Sequence, residues 1–156
     1  RVAEASPGYH SLNGLTILLL VNFFACASMS GSDLNQATIR GDLNAVTKLI
    51  QAGVSPDFSD VGHNGAYPLH RCAWRGFPEI AEVLLNAGAT VDCVNTMGAT
   101  PLMNTAITNQ PAVAKVLLAH GADRSLKNKG GQTAADIAKG SSAAVASLLA
   151  AGDNEL

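Results

Sequence analysis

The feature that most constrains the fold of this chain is an internal repeat with a period of 33 residues. Pro68 and Pro101 are separated by this distance, and Pro78 and Pro111 keep the same separation. Other residues recur in the same register: Leu84-Leu85 as Leu117-Leu118, Gly88-Ala89 as Gly121-Ala122, Asn95 as Asn128, Gly98 as Gly131 and Thr100 as Thr133. A repeat of this length predicts a solenoid, in which each unit buries the apolar surface of its neighbour.

Each unit is predicted to contain two helices. Pro68 and Pro101 mark the start of a first helix, because the missing N–H of proline costs nothing in the first helical turn. Thr100 can cap its helix by accepting a hydrogen bond from a backbone N–H. Pro78 begins a second helix that ends near Gly88, since glycine readily takes the left-handed conformation that terminates helices.

Two segments of the repeat carry a family resemblance. Residues 67–76 read YPLHRCAWRG, which resembles the TPLHxAAxxG signature of the ankyrin repeat family, and residues 100–106 read TPLMNTA, a second copy. Gly121-Ala122-Asp123 resembles the GAD turn of the same family. The resemblance implies an all-α ankyrin-repeat solenoid of stacked helix-turn-helix units with protruding loops or β-hairpin fingers. It covers residues 32–156 as four units at about 32–64, 65–97, 98–130 and 131–156.

The outer two units depart from the repeat pattern. The first begins at Asp33 without a TPLH motif, and the fourth has Asp136 in place of the motif's histidine. Counting from Ala138 to Leu148, against Thr105 to Leu117 in the third unit, suggests that the second helix of the fourth unit is two residues short. Because terminal repeats have a neighbour on one side only, and because the last helix is rich in Ala and Ser, we expect it to fray.

The composition limits which partners the chain can bind. Hydrophobic residues make up 47% of the chain and aromatic residues only 4%, so a core must come from Ala, Leu, Val and Ile. Charged residues make up 14% and the net charge is −2. This lacks the clustered positive charge that nucleic-acid binding requires, so we expect the partner to be another protein and not a nucleic acid.

The first thirty residues differ from the rest of the chain. Leu15 to Ala25 form an apolar run that is too short to cross a bilayer unaided. Ala25-Cys26-Ala27 then fits the small-residue pattern at which signal peptides are cleaved. We therefore expect residues 1–27 to be a signal peptide, 28–31 a short linker, and the protein to be exported to the periplasm or secreted.

Two alternatives to simple cleavage remain open. The residues before Cys26 loosely resemble a bacterial lipobox, so Cys26 could be lipidated. The apolar run could instead be an uncleaved membrane anchor or follow from a misassigned start, which would make the protein an intracellular adaptor. A membrane contact is expected only through such a lipid or anchor.

No constellation of residues in the sequence points to catalysis. Of the four histidines, His10 lies in the signal-like segment, and the resemblance implies a structural hydrogen-bonding role for His70. His120 is predicted in the last turn of a helix, and His63 stands in a loop without a second ligand. With no phosphate-binding or nucleophile motif, we predict no enzymatic activity, no cofactor, no metal and no small-molecule substrate.

The resemblance also implies where a partner would bind. Variable positions of the family are the two residues before the conserved glycine and the loop tips. A row of apolar residues flanked by arginine, with the only tryptophan at its centre, has the composition of an interaction hot spot. The alternatives are that Trp74 packs over its own loop, or that the protein only shields its partner. The residues carried over are Ile39, Arg40, Trp74, Arg75, Ile107 and Thr108 on the helices, with His63 and Met97 at the loop tips.

Overall fold

The computed structural model describes residues 29–151, which form eight helices arranged as four consecutive pairs. Within this range no strand is present, so the predicted all-α solenoid is confirmed. The predicted signal peptide, including Cys26, lies outside the described residues. The helices are α1 (Gly31–Arg40) and α2 (Leu43–Gln51), α3 (Pro68–Arg75) and α4 (Pro78–Asn86), α5 (Pro101–Thr108) and α6 (Pro111–Ala119), and α7 (Ala134–Ser141) and α8 (Ala143–Ala151).

The four pairs stack side by side in chain order. The first helices α1, α3, α5 and α7 contact one another in sequence, and the second helices α2, α4, α6 and α8 form a parallel series of contacts. Each pair therefore covers the apolar side of the next. Within residues 29–151 no large aromatic side chain is fully buried, as the composition predicts. The fully buried large members of the core include Leu34, Leu69, Leu84, Leu102, Met103, Leu117, Val46, Val113 and Val145.

The predicted helix-start signals are used where the sequence provides them. Proline is the first residue of four helices, α3 to α6. Thr100 accepts a hydrogen bond from the backbone N–H of Met103, and Thr133 does the same for Asp136. At the start of α1, Ser30 and Asp33 cap each other reciprocally, so the predicted linker 28–31 ends within the first helix and its cap.

The turn between paired helices depends on a left-handed residue in the first three units. Gly76 has φ 79° at this position, and Asn109 takes its place in the next unit with φ 55°. Asparagine is one of the few residues other than glycine that tolerate this conformation. In the fourth unit a single residue, Ser142, connects α7 to α8 with φ −150°, so its chain path differs.

This shorter connection corrects the expected length of the fourth unit. The buried pair Val113 and Leu117 of α6 is matched by Val145 and Leu149 of α8, whose offset is 32 residues. The unit is therefore one residue short of the repeat period, and the two-residue estimate was wrong. That estimate aligned Leu148 with Leu117, whereas Leu149 is the buried residue.

Three loops connect the pairs and are tied to one another by hydrogen bonds. The Thr96 N–H donates to the Asn64 carbonyl (3.0 Å), and one unit later the Lys129 N–H donates to the Met97 carbonyl (3.1 Å). Asn95 and Asn128 shape their own loops, because each side-chain oxygen accepts two backbone N–H groups two and four residues ahead. The protrusions are loops with one isolated bridge, Asp60 to Ala66, rather than β-hairpins.

Candidate functional site

A groove of about 430 Å³ opens between the connecting loops and the first helices of the second, third and fourth pairs. We call it the central groove. Of the eight predicted binding residues, four lie together in its lining: His63, Trp74, Met97 and Ile107. The full lining is His63, Asn64, Ala66, His70, Arg71, Trp74, Asn95, Met97, Ala99, Asn104, Ile107, Asn128 and Ile137.

Three of these residues expose large apolar side chains. Trp74 is 53% exposed, Met97 63% and Ile107 46%. Trp74 and Ile107 occupy equivalent positions near the ends of α3 and α5, so they are neighbours across the stack. Met97 stands at the tip of the intervening loop, which turns in the left-handed region at Gly98. Exposed side chains of this size in one groove form a surface that a partner can desolvate.

The other four predicted residues lie outside the lining of the central groove. Arg75 is exposed on α3, and Ile39 is half-buried on α1. Arg40 is exposed and lines a separate groove of about 360 Å³ at the α1–α2 end of the stack. Thr108 is committed to the fold, because its hydroxyl lies 3.0 Å from the Ala73 carbonyl of α3 and 2.9 Å from the carbonyl one turn back.

A row of residues that the sequence analysis missed forms the floor of the central groove. Arg71, Asn104 and Ile137 are spaced 33 residues apart on α3, α5 and α7, and all three line the groove. Arg71 and Asn104 precede Trp74 and Ile107 by three residues, which places them on the same helix face one turn earlier. This spacing was available in the sequence and could have identified the row.

Arg71 lies beside an acidic residue of the first loop. Its Nη2 is 3.5 Å from Oδ2 of Asp60, and its Nε and Nη2 are enclosed without a hydrogen-bond partner. The Asp60 carboxylate serves two other groups, since it lies 2.7 Å from Nδ1 of His63 and accepts the Gly62 N–H at 3.1 Å. The ion pair thus leaves part of the hydrogen-bonding capacity of the guanidinium unused.

His70 joins α3 to the next loop from inside the stack. Its Nε2 donates to the Ala99 carbonyl at 2.8 Å, and its Nδ1 accepts the Tyr67 N–H at 3.3 Å. Burial lowers the pKa of His70, against the opposing effect of the hydrogen bond to Ala99, so the ring stays neutral and holds the loop in place. The structural hydrogen-bonding role that the resemblance implied is confirmed.

Cys72, Cys93 and Asp57 have structural surroundings. Cys72 and Cys93 are both free and buried. Burial raises the pKa of Cys93 to about 12 and that of Cys72 still further, which leaves both as neutral thiols. Asp57 accepts hydrogen bonds from the N–H and hydroxyl of Thr90 at 2.9 and 2.6 Å, so its carboxylate links two successive loops.

Two other kinds of site are absent from residues 29–151. None of the helices there has the length and apolar character needed to cross a membrane. That same stretch contains no group of three or more His, Cys, Asp or Glu side chains that could hold a metal ion. What the central groove offers chemically is apolar surface, hydrogen-bond donors and one guanidinium, which together suit binding.

Comparison with known families identifies the architecture. A family model described as ankyrin repeats, in three copies, matches residues 34–128 and also residues 69–155. The two matches overlap in the central units and together extend over all four helix pairs. The histidine bridge of α3, the stacked helix pairs and the linked loops are the structural counterparts of that match. The chain belongs to the ankyrin repeat family.

Proposed function

We propose that this protein is a non-catalytic binding module that holds a partner protein in the central groove. Ankyrin repeats are generally protein–protein interaction modules and typically have no catalytic role. The observation that carries the proposal is the exposure of Trp74, Met97 and Ile107 within one groove. Large aromatic side chains at the centre of a surface are among the groups that contribute most to binding energy, and a flexible thioether adapts to a partner.

The test is capture of partner proteins by the immobilised full chain, followed by affinity measurements with the captured protein. Trp74→Ala should weaken binding by about 2 kcal/mol or more, since a central aromatic anchor is lost. Its melting temperature should stay close to that of the unsubstituted protein, because the side chain is half exposed. A large fall in melting temperature would show that Trp74 stabilises the fold and that the site lies elsewhere.

A matched pair of substitutions controls for general effects of removing surface apolar groups. Ile107→Ala removes an exposed apolar side chain inside the central groove, and Val94→Ala removes one of similar exposure, 53%, outside its lining. We expect Ile107→Ala to reduce capture and Val94→Ala to leave it unchanged. Equal effects of the two substitutions would count against the central groove as the binding surface.

We also propose that the protein is exported. The apolar run from Leu15 to Ala25 and the small residues Ala25-Cys26-Ala27 support this proposal. Intact-mass measurement of the protein from its native cells tests it: removal of residues 1 to about 27 agrees with cleaved export. A mature N-terminus at an acylated Cys26 would indicate a lipoprotein. Retention of the whole apolar run would favour the anchored or intracellular adaptor.

A further inference from the structure

We infer that the central groove recognises a peptide segment carrying a carboxylate next to a large apolar side chain. The carboxylate would lie on the floor at Arg71 and Asn104, and the apolar side chain would lie against Trp74, Met97 and Ile107. This inference rests on the proposed binding function and specifies the chemistry of the partner.

The charge of the groove lining favours an acidic ligand. The residues that line it include Arg71 and no carboxylate, although acidic and basic residues are equally numerous over residues 29–151. The nearest acid, Asp60, is not among the lining residues, and its carboxylate contacts His63 and the Gly62 N–H as well as Arg71. A peptide carboxylate in the groove would therefore meet a guanidinium without an opposing acidic wall.

Arg71 has hydrogen-bonding capacity that the fold does not use. Its Nε and Nη2 are buried without acceptors, and the 3.5 Å approach of Asp60 is an ion pair that lacks a hydrogen bond. Unmet donors on a buried cation are costly, so an additional acceptor is favoured. Nε and Nη2 have almost no accessible surface, but the side chain is 22% exposed and lines the groove, so a ligand approaches the guanidinium from that side and reaches these donors once the side chain shifts.

Asn104 provides a second polar group at the equivalent position of the next helix. It is only 8% exposed, and its side-chain amide makes no hydrogen bond to any described residue. Because Asn104 follows Arg71 by one repeat, the two groups stand side by side on α3 and α5. Together they offer a carboxylate a charged donor and a neutral donor, the combination that orients its two oxygens.

The apolar residues fix the spacing expected in the ligand. Trp74 and Ile107 follow Arg71 and Asn104 by three residues, a rise of about 4.5 Å along an α-helix. In an extended peptide, side chains two residues apart point to the same side and are separated by about 6.6 Å. A carboxylate and a large apolar side chain at positions i and i+2 can therefore contact both rows together.

The experiment begins with selection of a displayed library of random peptides on the full chain, with counter-selection on the Trp74→Ala variant. We expect the enriched peptides to carry Asp or Glu within two residues of Leu, Ile, Met or Phe. Enriched peptides are then synthesised with a fluorophore, each beside an isostere in which the acid is replaced by Asn or Gln. Binding of each pair is measured by fluorescence anisotropy.

The acidic peptide should bind the unsubstituted protein about tenfold more tightly than its amide isostere, because charge-assisted hydrogen bonds are lost in the isostere. On Arg71→Gln this advantage should disappear, and on Lys115→Gln it should persist, because Lys115 is an exposed cation on α6 outside the groove lining. The acidic peptide and its amide isostere are compared on the unsubstituted protein. This comparison therefore remains valid even if Arg71→Gln lowers the melting temperature.

The outcomes separate this inference from the proposed function. Peptides that depend on Trp74 but lack acidic residues, or that bind their amide isosteres equally well, would overturn the carboxylate preference and leave the groove function standing. The carboxylate preference would also be overturned if no peptide were enriched while a folded protein was captured in a Trp74-dependent manner. Absence of Trp74 dependence in both experiments would overturn both proposals.

Discussion

The third and the fourth helix pairs occupy the same place in the repeat but are stabilised differently. In α5 every residue from Pro101 to Ala106 is buried, whereas in α7 only Ala134 and Ala138 are. The third pair is enclosed by helices on both sides, and the fourth has a described neighbour on one side only. Burial in a solenoid is thus set by neighbours as much as by the sequence of a unit.

Hydrogen bonds also connect the fourth pair to the preceding one. The Ser141 hydroxyl donates to the Ala106 carbonyl at 2.8 Å, in the position that Thr108 takes toward Ala73 one unit earlier. The Ser142 hydroxyl lies 2.5 Å from Oδ1 of Asn109. Net hydrogen-bond contributions are about 1 kcal/mol each, so these links fix the position of the fourth pair more than they stabilise it.

The largest expected effect comes from removing equivalent leucines in the third and fourth pairs. Leu117→Ala should lower the free energy of unfolding by about 3 to 4 kcal/mol, because the side chain is fully buried between pairs. Leu149→Ala should cost about 2 kcal/mol, because the fourth pair can open by itself. Urea unfolding gives the two values, and equal losses would show that the last pair is as tightly coupled as the third.

The next effect concerns the histidine that links the second pair to the third. His70→Ala should lower the free energy of unfolding by about 1 to 3 kcal/mol, because the Ala99 carbonyl, in a buried residue, loses its donor. In the fourth pair, Asp136 occupies the position of His70. It takes part in an exposed helix cap instead of a buried bridge, so the fourth pair should be insensitive to the loss of such a bridge. A cost of less than half a kcal/mol would show that water replaces the donor.

The same histidine should make stability depend on pH. Burial lowers the pKa of His70 below the ordinary value of 6.5, so the unfolded chain binds the proton more readily than the folded one. Its contribution is therefore intact above about pH 6.5 and decreases as the pH falls below that value. His70→Gln should remove this decrease between about pH 7 and pH 5, and His120→Gln, at an exposed residue, should retain it.

The sequence predicted the parts of the molecule that depend on local chemistry. Pro68 and Pro101 identified helix starts, and Thr100 proved to be the cap that its hydroxyl suggested. These features need only the residue and its immediate neighbours. The 33-residue register then placed Trp74 and Ile107 side by side, because equivalent positions of stacked units are adjacent.

What the sequence did not show depends on the exact path of the chain between elements. The shortening of the fourth unit was misjudged because Leu148 and Leu149 are identical in type, and only packing shows which one is buried. Thr108 was predicted as a binding residue at a variable position, but its hydroxyl is used within the stack. Arg71 was missed although its 33-residue spacing from Asn104 and Ile137 was visible, because an arginine beside a motif histidine gives no local sign that it lies in a groove.

A smaller effect is expected from the cap of α7. Thr133→Ala removes the hydroxyl that accepts the Asp136 N–H, and caps of this kind contribute about 1 kcal/mol. Because the fourth pair is the least buried, the loss should appear as faster hydrogen exchange in α7 and α8, with α3 to α6 unaffected. A uniform loss of protection along the chain would mean that the last pair unfolds only with the rest.

The smallest effect should act in the opposite direction and stabilise the fourth pair. Gly140 lies within α7, and a Cβ added there would meet no atom within 4 Å. Gly140→Ala should therefore raise the free energy of opening the last pair by about 0.5 to 1 kcal/mol, by restricting the unfolded chain without a clash. Hydrogen exchange in α7 and α8 should slow, while the urea midpoint of the central pairs stays unchanged. If exchange does not slow, opening of the fourth pair leaves α7 helical, and the boundary between strongly and weakly held helices lies between α7 and α8 rather than between the third and fourth pairs.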